Sequence, residues 1–452
     1  MTYIPTVAIA GLGSRGRHTY ARYAEMNPDK MKITALADTN PGRVREAAET
    51  FRVSGSNCFN SAAELLAAEK LADILFICTP DSDHYYTAMT ALEKKYHLLL
   101  EKPISVNPAE CISIAQSAKE HGRHVVVCHV LRYTSFYAKI KEIINSGRIG
   151  EIVAIQAIEN VGYYHHAHSF VRGNWRNSKE TSPMILAKCC HDMDILLWLS
   201  GRHVQNIHSY GNLYYFKPEK APESAALRCL DDCKAKDSCP YDAERIYINS
   251  TQTGVTAGNT DWPNNVVTDP VTEENLHRAI KTGPYGRCVF HCDNDVVDHQ
   301  VVNLEMDNKA TISFTMSAFT GTISRHLKVM GTLGEIEASM ETNIVKTHVF
   351  GQEPELIDTN LNNAEISGRE PRIVDTAPDH LQWSDTGHGG GDFRMMDSFL
   401  KLFTTGGEAL TSVDNSVESH LACFAAEYSR THGGISVPVK KIVELYREYK
   451  ND

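Results

Sequence analysis

The stretch Val7-Ala8-Ile9-Ala10-Gly11-Leu12-Gly13-Ser14-Arg15-Gly16 decides the fold: a short apolar run stops at a glycine and passes into a helical pattern continuing through Ala24. Gly11 allows the tight turn, Gly13 lets the backbone approach a pyrophosphate, and Gly16 permits close helix–strand packing. The free N–H groups at the helix start, around Ser14 and Arg15, attract phosphate. An incidental glycine turn would require neither the preceding strand nor the following helix. Asp38 closes the next apolar run, KITALA at 32–37. A carboxylate there accepts hydrogen bonds from ribose hydroxyls and repels a 2′-phosphate, favouring NAD over NADP. Arg43 either softens that preference or is a solvated helix charge.

Outward from this segment, ADILFICT at 72–79, HLLLE at 97–101 and HVVVCHVL at 124–131 alternate with helical patterns. That alternation specifies a doubly wound parallel sheet, and residues 1–131 form the expected dinucleotide-binding domain. After residue 150 the strands lengthen and become amphipathic, as in EIVAIQAIENV at 151–161, HQVVNLEM at 299–306 and KATISFTMS at 309–317. These suit a large, mainly antiparallel open sheet. With helical patterns at 190–200, 392–404, 415–431 and 438–449, residues 132–452 read as an α+β domain for substrate binding and oligomerisation. Two weakly periodic insertions, about 217–285 and 351–390, read as loops or lids rather than core.

The 452 residues can bury large cores without disulfide or metal staples. No apolar run is long enough to cross a bilayer, and the N-terminus lacks a signal-peptide plan, so a cytoplasmic protein is expected. A net charge of -11 without a Lys/Arg-rich run argues against nucleic acid or a membrane surface as main partner and for a small molecule.

Thr79-Pro80 follows the 72–79 run, with His84 beyond it, and Glu101-Lys102-Pro103 ends the 97–101 run. Arg132-Tyr133, preceded by His129, follows the last parallel strand, and His191 and Asp194 share a helix. As a set, over nearly the whole chain, these motifs resemble the glucose-fructose oxidoreductase / inositol dehydrogenase (Gfo/Idh/MocA) family. The resemblance implies that Thr79, Pro80, His84 and Glu101 border the dinucleotide, while His129, Arg132, Tyr133 and Asp194 border the substrate. It also implies that Lys102 lies beside the nicotinamide and hydrogen-bonds the reacting hydroxyl, and that His191 is the catalytic histidine. The chemistry agrees, since oxidising a secondary alcohol requires removal of its O–H proton, a task for a lysine beside a positive ring or for a histidine. Many relatives carry an aspartate four residues before the histidine, where this chain has Ala187, followed by Lys188. Lys188 is either a replacement on the same helix face or a solvated cap. Relatives commonly pair through the second sheet's open face, which implies a homodimer or homotetramer.

The segment YYHHAHSFVRGNWRN at 163–177 offers His165, Arg172 and Trp175, along with His166, His168, Asn174 and Arg176. Aromatic faces and hydroxyl-reading groups suit a sugar ring, and the histidine spacing alternatively suits a metal. His388, in the stretch His388-Gly389-Gly390-Gly391-Asp392, either overhangs the substrate or belongs to a flexible helix entry capped by Asp392. Related chains carry a similar stretch, including redox-assisted α-N-acetylgalactosaminidases. Cys229, Cys233 and Cys239, with Cys288 and Cys292 downstream, have few apolar neighbours. They read as a structural zinc site built from Cys229, Cys233, Cys239 and Cys292, as an iron–sulfur cluster, or as plain thiols.

Two activities share these motifs. One is NAD-dependent oxidation or reduction of a secondary hydroxyl on a sugar, cyclitol or glycoside. The other is a redox-neutral, NAD-assisted glycoside cleavage by oxidation, elimination and re-reduction. A non-catalytic nicotinamide sensor is disfavoured by the presence of both Lys102 and His191.

Overall fold

The structure is a computed structural model, and it describes residues 3–360 and 388–451. Six short strands, β1 (Thr6–Ala10), β2 (Lys32–Ala37), β3 (Cys58–Phe59), β4 (Ile74–Ile77), β5 (His97–Leu100) and β6 (Val125–Val127), form an all-parallel sheet in the order β3-β2-β1-β4-β5-β6. The order reverses direction beside β1, so the connections that leave the carboxyl ends of the paired strands β1 and β4 part and form the crevice where such sheets bind ligands. Ile74 to Ile77 are completely buried, because helices cover both faces and leave no polar side of the strand.

The second sheet contains β7 (Ile152–Asn160), β8 (Val204–Asn212), β9 (His299–Met306), β10 (Thr311–Ser317), β11 (Ser324–Gly331), β12 (Gly334–Ser339), β13 (Ile344–Val349), β14 (Glu355–Asp358) and β15 (Val437–Pro438). Its order is β14-β13-β12-β11-β7-β10-β9-β8-β15, antiparallel throughout except for the β7–β10 pair. One face is apolar, as Ile312, Phe314 and Met316 of β10 show by strict alternation, and the helices Cys190–Ser200 and Val413–Thr431 share its core. The helix Gly391–Thr405 instead packs on the parallel sheet, where Phe393, Met396 and Phe399 join Val7, Ile9 and Phe76. That packing delivers His388 and Asp392 to the dinucleotide crevice.

The first insertion is more than a loop. Phe216, Tyr241, Tyr247, Leu276, Ile280 and Tyr285 form their own buried cluster together with Tyr164 and Val171 of the loop after β7. The expectation of coreless chain there is corrected: aromatic side chains spaced without period bury a separate apolar centre, which period-based reading misses. Most of the second insertion lies outside the described residues; its beginning forms β14, paired with β13. No helix among the described residues is long and apolar enough to cross a membrane.

Candidate active site

The glycine turn has the geometry its three residues require. Gly11 has φ +93°, and a Cβ on it would lie 2.3 Å from the Cys78 carbonyl oxygen; a Cβ on Gly16 would lie 1.9 Å from the Gly11 oxygen. Gly13 faces open space, with nothing within 4 Å of where its Cβ would be. Two glycines thus lock the turn against β4, and the third leaves the opening that a pyrophosphate would fill. Asp38 sits at the end of β2, accepting the Leu12 N–H at 2.6 Å and the Asn40 N–H at 2.8 Å. Arg43 Nη1 is 3.9 Å from the same carboxylate. The residues present therefore fit a dinucleotide.

Arg15 turns inward. Its Nε donates to Glu101 at 2.6 Å, and its Nη2 donates to Tyr20 Oη at 2.6 Å and to Asp392. Burial opposes ionisation of Glu101, yet Arg15 and Lys102 hold its carboxyl below the ordinary range. Arg15 and Glu101 thereby tie the fingerprint helix to β5, and their side chains are engaged with protein rather than free for a ligand. His84 does similar work between β4 and the Glu-Lys-Pro turn, with ring nitrogens 2.7 Å from the Pro103 carbonyl and 3.0 Å from that of Thr79. The Thr79 hydroxyl is buried without a partner, at the lip of the crevice.

Lys102 leaves the end of β5 and donates to the Ala187 carbonyl at 2.7 Å, with its ammonium 5.8 Å from the Trp175 ring. Trp175 is itself held by its indole N–H, 3.3 Å from Asp81, whose other oxygen accepts from Ser182 at 2.8 Å. The His191 ring centroid is 5.6 Å from that of His129 and 6.1 Å from that of His388. Burial first, then the positive charge of Lys102, pushes His191 well below the usual imidazole range, so it is neutral at pH 7. Its Nδ1 is buried without a hydrogen-bond partner, and both nitrogens of His129 are likewise unpartnered. His388 Nδ1 lies 2.9 Å from Asp392, which continues to Arg15 and Glu101. Lys102, Trp175, His191, His129 and His388 are thus brought together at the carboxyl ends of the parallel strands.

Lys188 is not on the helix of His191. That helix begins at Cys190, and Lys188 occupies the preceding turn, 3.2 Å from Glu159 Oε1 at the end of β7. Glu159 is completely buried and also pairs with Arg325 at 2.8 Å; Arg325 in turn pairs with Asp192 at 2.8 Å. The expected helical register of Lys188, His191 and Asp194 is therefore corrected: a buried ion network holds Lys188 in place. Its charge reaches His165, which burial and then Lys188 keep neutral. His165 packs edge-on against Trp262 of the insertion, centroids 4.7 Å apart.

Other predicted residues point elsewhere. Arg132 makes a two-pronged pair with Asp194 at 2.7 and 2.6 Å, completely enclosed, and Tyr133 Oη is 3.1 Å from Thr411 Oγ1. These brace the wall behind His129. His166, His168 and Arg172 lie under the insertion: His166 stacks on Phe216, His168 stacks on Tyr285, and Arg172 donates to the carbonyls of Arg287 and Tyr241.

The zinc expectation is corrected. All twelve cysteines are free thiols, and no group of three His, Cys, Asp or Glu side chains among the described residues is placed to hold a metal ion. Cys229, Cys233, Cys239 and Cys288 border one hollow, but Cys292 does not. Cys229 Sγ accepts from Arg172 at 3.4 Å, Cys233 Sγ accepts from the Ala226 N–H at 3.5 Å, and Cys292 donates to the Cys288 carbonyl at 3.3 Å. A buried guanidinium already occupies the edge of this hollow, and it would repel a metal cation.

Comparison with known proteins fits both halves of this architecture. The NAD-binding Rossmann-fold profile of the GFO/IDH/MocA oxidoreductases matches residues 6–129, and the profile of their C-terminal alpha/beta domain matches 141–433. The chain belongs to the Gfo/Idh/MocA oxidoreductase family. YteT of Bacillus subtilis is 24% identical over 343 residues, covering 74% of this chain and 76% of YteT. The 2,7-anhydro-N-acetylneuraminate hydratase of Escherichia coli is 27% identical over 214 residues, 46% of this chain and 54% of the hydratase. An inositol 2-dehydrogenase of Salmonella typhimurium is 23% identical over 203 residues, 45% and 56% of the two chains. Among solved folds, an Agrobacterium radiobacter oxidoreductase complexed with NAD+, L-tartaric acid and magnesium superposes with TM-score 0.65 at 15% identity, covering 97% of this chain and all of that one. The superposition takes in both the parallel sheet and the large mixed sheet.

Sequence reading missed Glu159, Arg325, Asp81 and Trp262. Only the Glu159–Arg325 pair had a readable trace, as opposite charges on amphipathic strands, and seeing it required the register that sets them side by side in β7 and β11.

Proposed function

We propose that the protein is an NAD-dependent oxidoreductase acting on a secondary hydroxyl of a sugar, cyclitol or glycoside. The observation that carries this is the Lys102 ammonium, held on the Ala187 carbonyl, bearing with its charge on the neutral His191 imidazole, whose Nδ1 is unpartnered. NAD, when bound, supplies the hydride acceptor or donor. Gly11, Gly13, Ser14 and Gly16 hold its pyrophosphate and Asp38 its ribose, which favours NAD over NADP. Lys102, fixed by the Ala187 carbonyl, orients the substrate hydroxyl with its remaining N–H donors. His191 takes the hydroxyl proton, having a free lone pair at neutral pH. Trp175 offers a flat apolar face to a ring. Lys188, fixed by Glu159, takes the place that an aspartate occupies in many relatives and reads a neighbouring hydroxyl. We take residues 1–131 as the dinucleotide-binding part and 132–452 as the substrate part, in a homodimer or homotetramer. The free cysteines suit a reducing, cytoplasmic setting.

Lys102→Ala tests the assignment. NAD affinity is expected to persist while turnover on the responsive sugar falls at least ~10²-fold. Unchanged turnover would remove the lysine from the reaction.

One observation favours the redox-neutral glycoside cleavage. Arg17, on the helix that opens at the glycine turn, lies 3.5 Å from Asp269 of the insertion. The insertion thereby reaches the cofactor side of the molecule, as a strap that retains NAD through turnover would. Incubation with a sugar and glycoside panel and trace NAD separates the two activities: reduced cofactor accumulates with product in the first, and glycoside is cleaved without net reduction in the second.

A further inference from the structure

Four arginines converge outside the site just described. Arg172, Arg176, Arg228 and Arg287, with Asn174 and Thr282, line a cleft of roughly 260 Å³ between the loop after β7 and the insertion. Two of the four are charge-compensated: Arg176 lies 2.8 Å and Arg287 2.7 Å from Asp293, and Arg176 also lies 3.0 Å from Glu180. Both carboxylates are at least half exposed, so solvent weakens their hold.

Arg172 and Arg228 form no ion pair with any described residue. Arg228 donates to the carbonyls of Lys281, Ile280 and Gly283 at the end of the helix Glu273–Thr282. Arg172 donates to the carbonyls of Arg287 and Tyr241, and its Nη1 is buried with no hydrogen-bond partner at all. Carbonyl oxygens fix the planes of these guanidiniums without neutralising them. A cation 1% exposed, with a donor unsatisfied and no counter-charge, is costly unless an anion completes it. The cleft thus carries four positive charges against two screened negative ones, in a chain whose net charge is -11.

We propose that this cleft is an oxyanion-binding site that takes a phosphate or sulfate group. Backbone carbonyls take Nε and Nη2 of Arg172 and of Arg228, which orients both guanidiniums and leaves the Nη1 donors and the full positive charges for a tetrahedral oxyanion. The loop that supplies Arg172 and Arg176 also carries Trp175, whose ring stands beside Lys102. The oxyanion is therefore either a free ion that firms this loop or a charged substituent at the far end of the substrate. The site itself stands whether or not the redox reaction proposed above is correct.

Isothermal titration of the full chain with inorganic phosphate and with sulfate tests it. One site per chain is expected, saturating at or below ~1 mM. Arg228→Gln and, separately, Arg176→Gln should each weaken binding by about tenfold, and Arg228→Lys less, since it keeps the charge but loses the planar set of donors. NAD binding serves as the folding control for each variant. Failure to saturate by ~10 mM, or affinity unchanged in both glutamine variants, overturns the proposal. A parallel titration with glucose 6-phosphate identifies the source: at least about tenfold tighter binding than inorganic phosphate marks a substrate-borne group, and equal binding marks a free ion.

Discussion

The parallel sheet and the first insertion are built on opposite principles. In the sheet, Val7 to Ala10 and Ile74 to Ile77 are fully buried apolar runs, paired through a parallel backbone ladder. In the insertion, Phe216, Tyr241, Tyr247 and Tyr285 pack with His166, His168 and Cys229, so polar rings and thiols do what branched aliphatics do in the sheet. The sheet strands carry one depressed imidazole, His97 of β5, which burial and then Arg123 push down to about 4, whereas two buried rings, His166 and His168, sit together beneath the insertion. The sheet holds a fixed cofactor turn; the insertion carries Trp262 and borders the arginine cleft, where recognition can vary.

Truncating the insertion's central ring should give the largest difference. Phe216 is 1% exposed and packs between His166, Tyr241 and Phe319 at centroid distances of 5.3, 5.0 and 5.7 Å. Phe216→Ala is expected to destabilise the insertion by about 3–5 kcal/mol while leaving the protection of β1 and β4 unchanged. Hydrogen exchange resolved along the chain reads both; protection lost equally in β1 and β4 would mean that the two regions unfold as one.

Acid should separate them next. Burial pushes His166 down to about 4 and His168 to about 3. Both are depressed below the unfolded value of ~6.5, so the unfolded chain binds more protons as pH falls. Stability conferred by the neutral rings is complete above pH ~6.5 and is lost progressively toward the folded values. By pH 5 each ring costs about 2 kcal/mol. Proteolysis at pH 5 and 7.5 should cut the insertion before the parallel sheet, and His168→Gln should shrink the difference; an insertion equally resistant at both values would break the comparison.

The sheet's own weak point is steric. Gly16→Ala places a methyl group 1.9 Å from a backbone oxygen, which no rotamer relieves. The expected cost is about 1–3 kcal/mol together with weakened NAD binding, seen by calorimetry and fluorescence titration. Gly13→Ala, with space around it, should spare stability and weaken only the cofactor.

These contrasts also explain what could be read from the chain. The parallel sheet was legible because its constraints are local: buried runs, a glycine at each turn requirement, Asp38 at a strand end. Lys102, His191 and His388 were legible by the same logic and by family resemblance, and the structure gathers them. Lys188 was legible as an anomaly, but its partner Glu159 lies on a strand 29 positions earlier and its bracing Arg325 on another, so only register could connect them. The cysteines misled because proximity in sequence says nothing about whether a guanidinium already sits among them. Arg132 and Asp194, expected to face a substrate, instead satisfy one another.

The smallest effect bears on how the two regions communicate. Asp269 of the insertion and Arg17 of the fingerprint helix lie 3.5 Å apart, with Asp269 half exposed, and Arg17 also pairs with Glu46 at 2.6 Å. An exposed pair of this kind contributes less than ~1 kcal/mol, so Asp269→Asn should leave the melting temperature nearly unchanged. If the insertion acts as a strap over the cofactor, the same change should speed NAD release by up to about fivefold, more at low ionic strength than at high, while NAD association stays constant. Stopped-flow displacement of bound NAD reads this directly. A release rate unaffected by the substitution at low salt would leave the insertion as a wall of the substrate site alone, and would take away the observation that favours a retained cofactor.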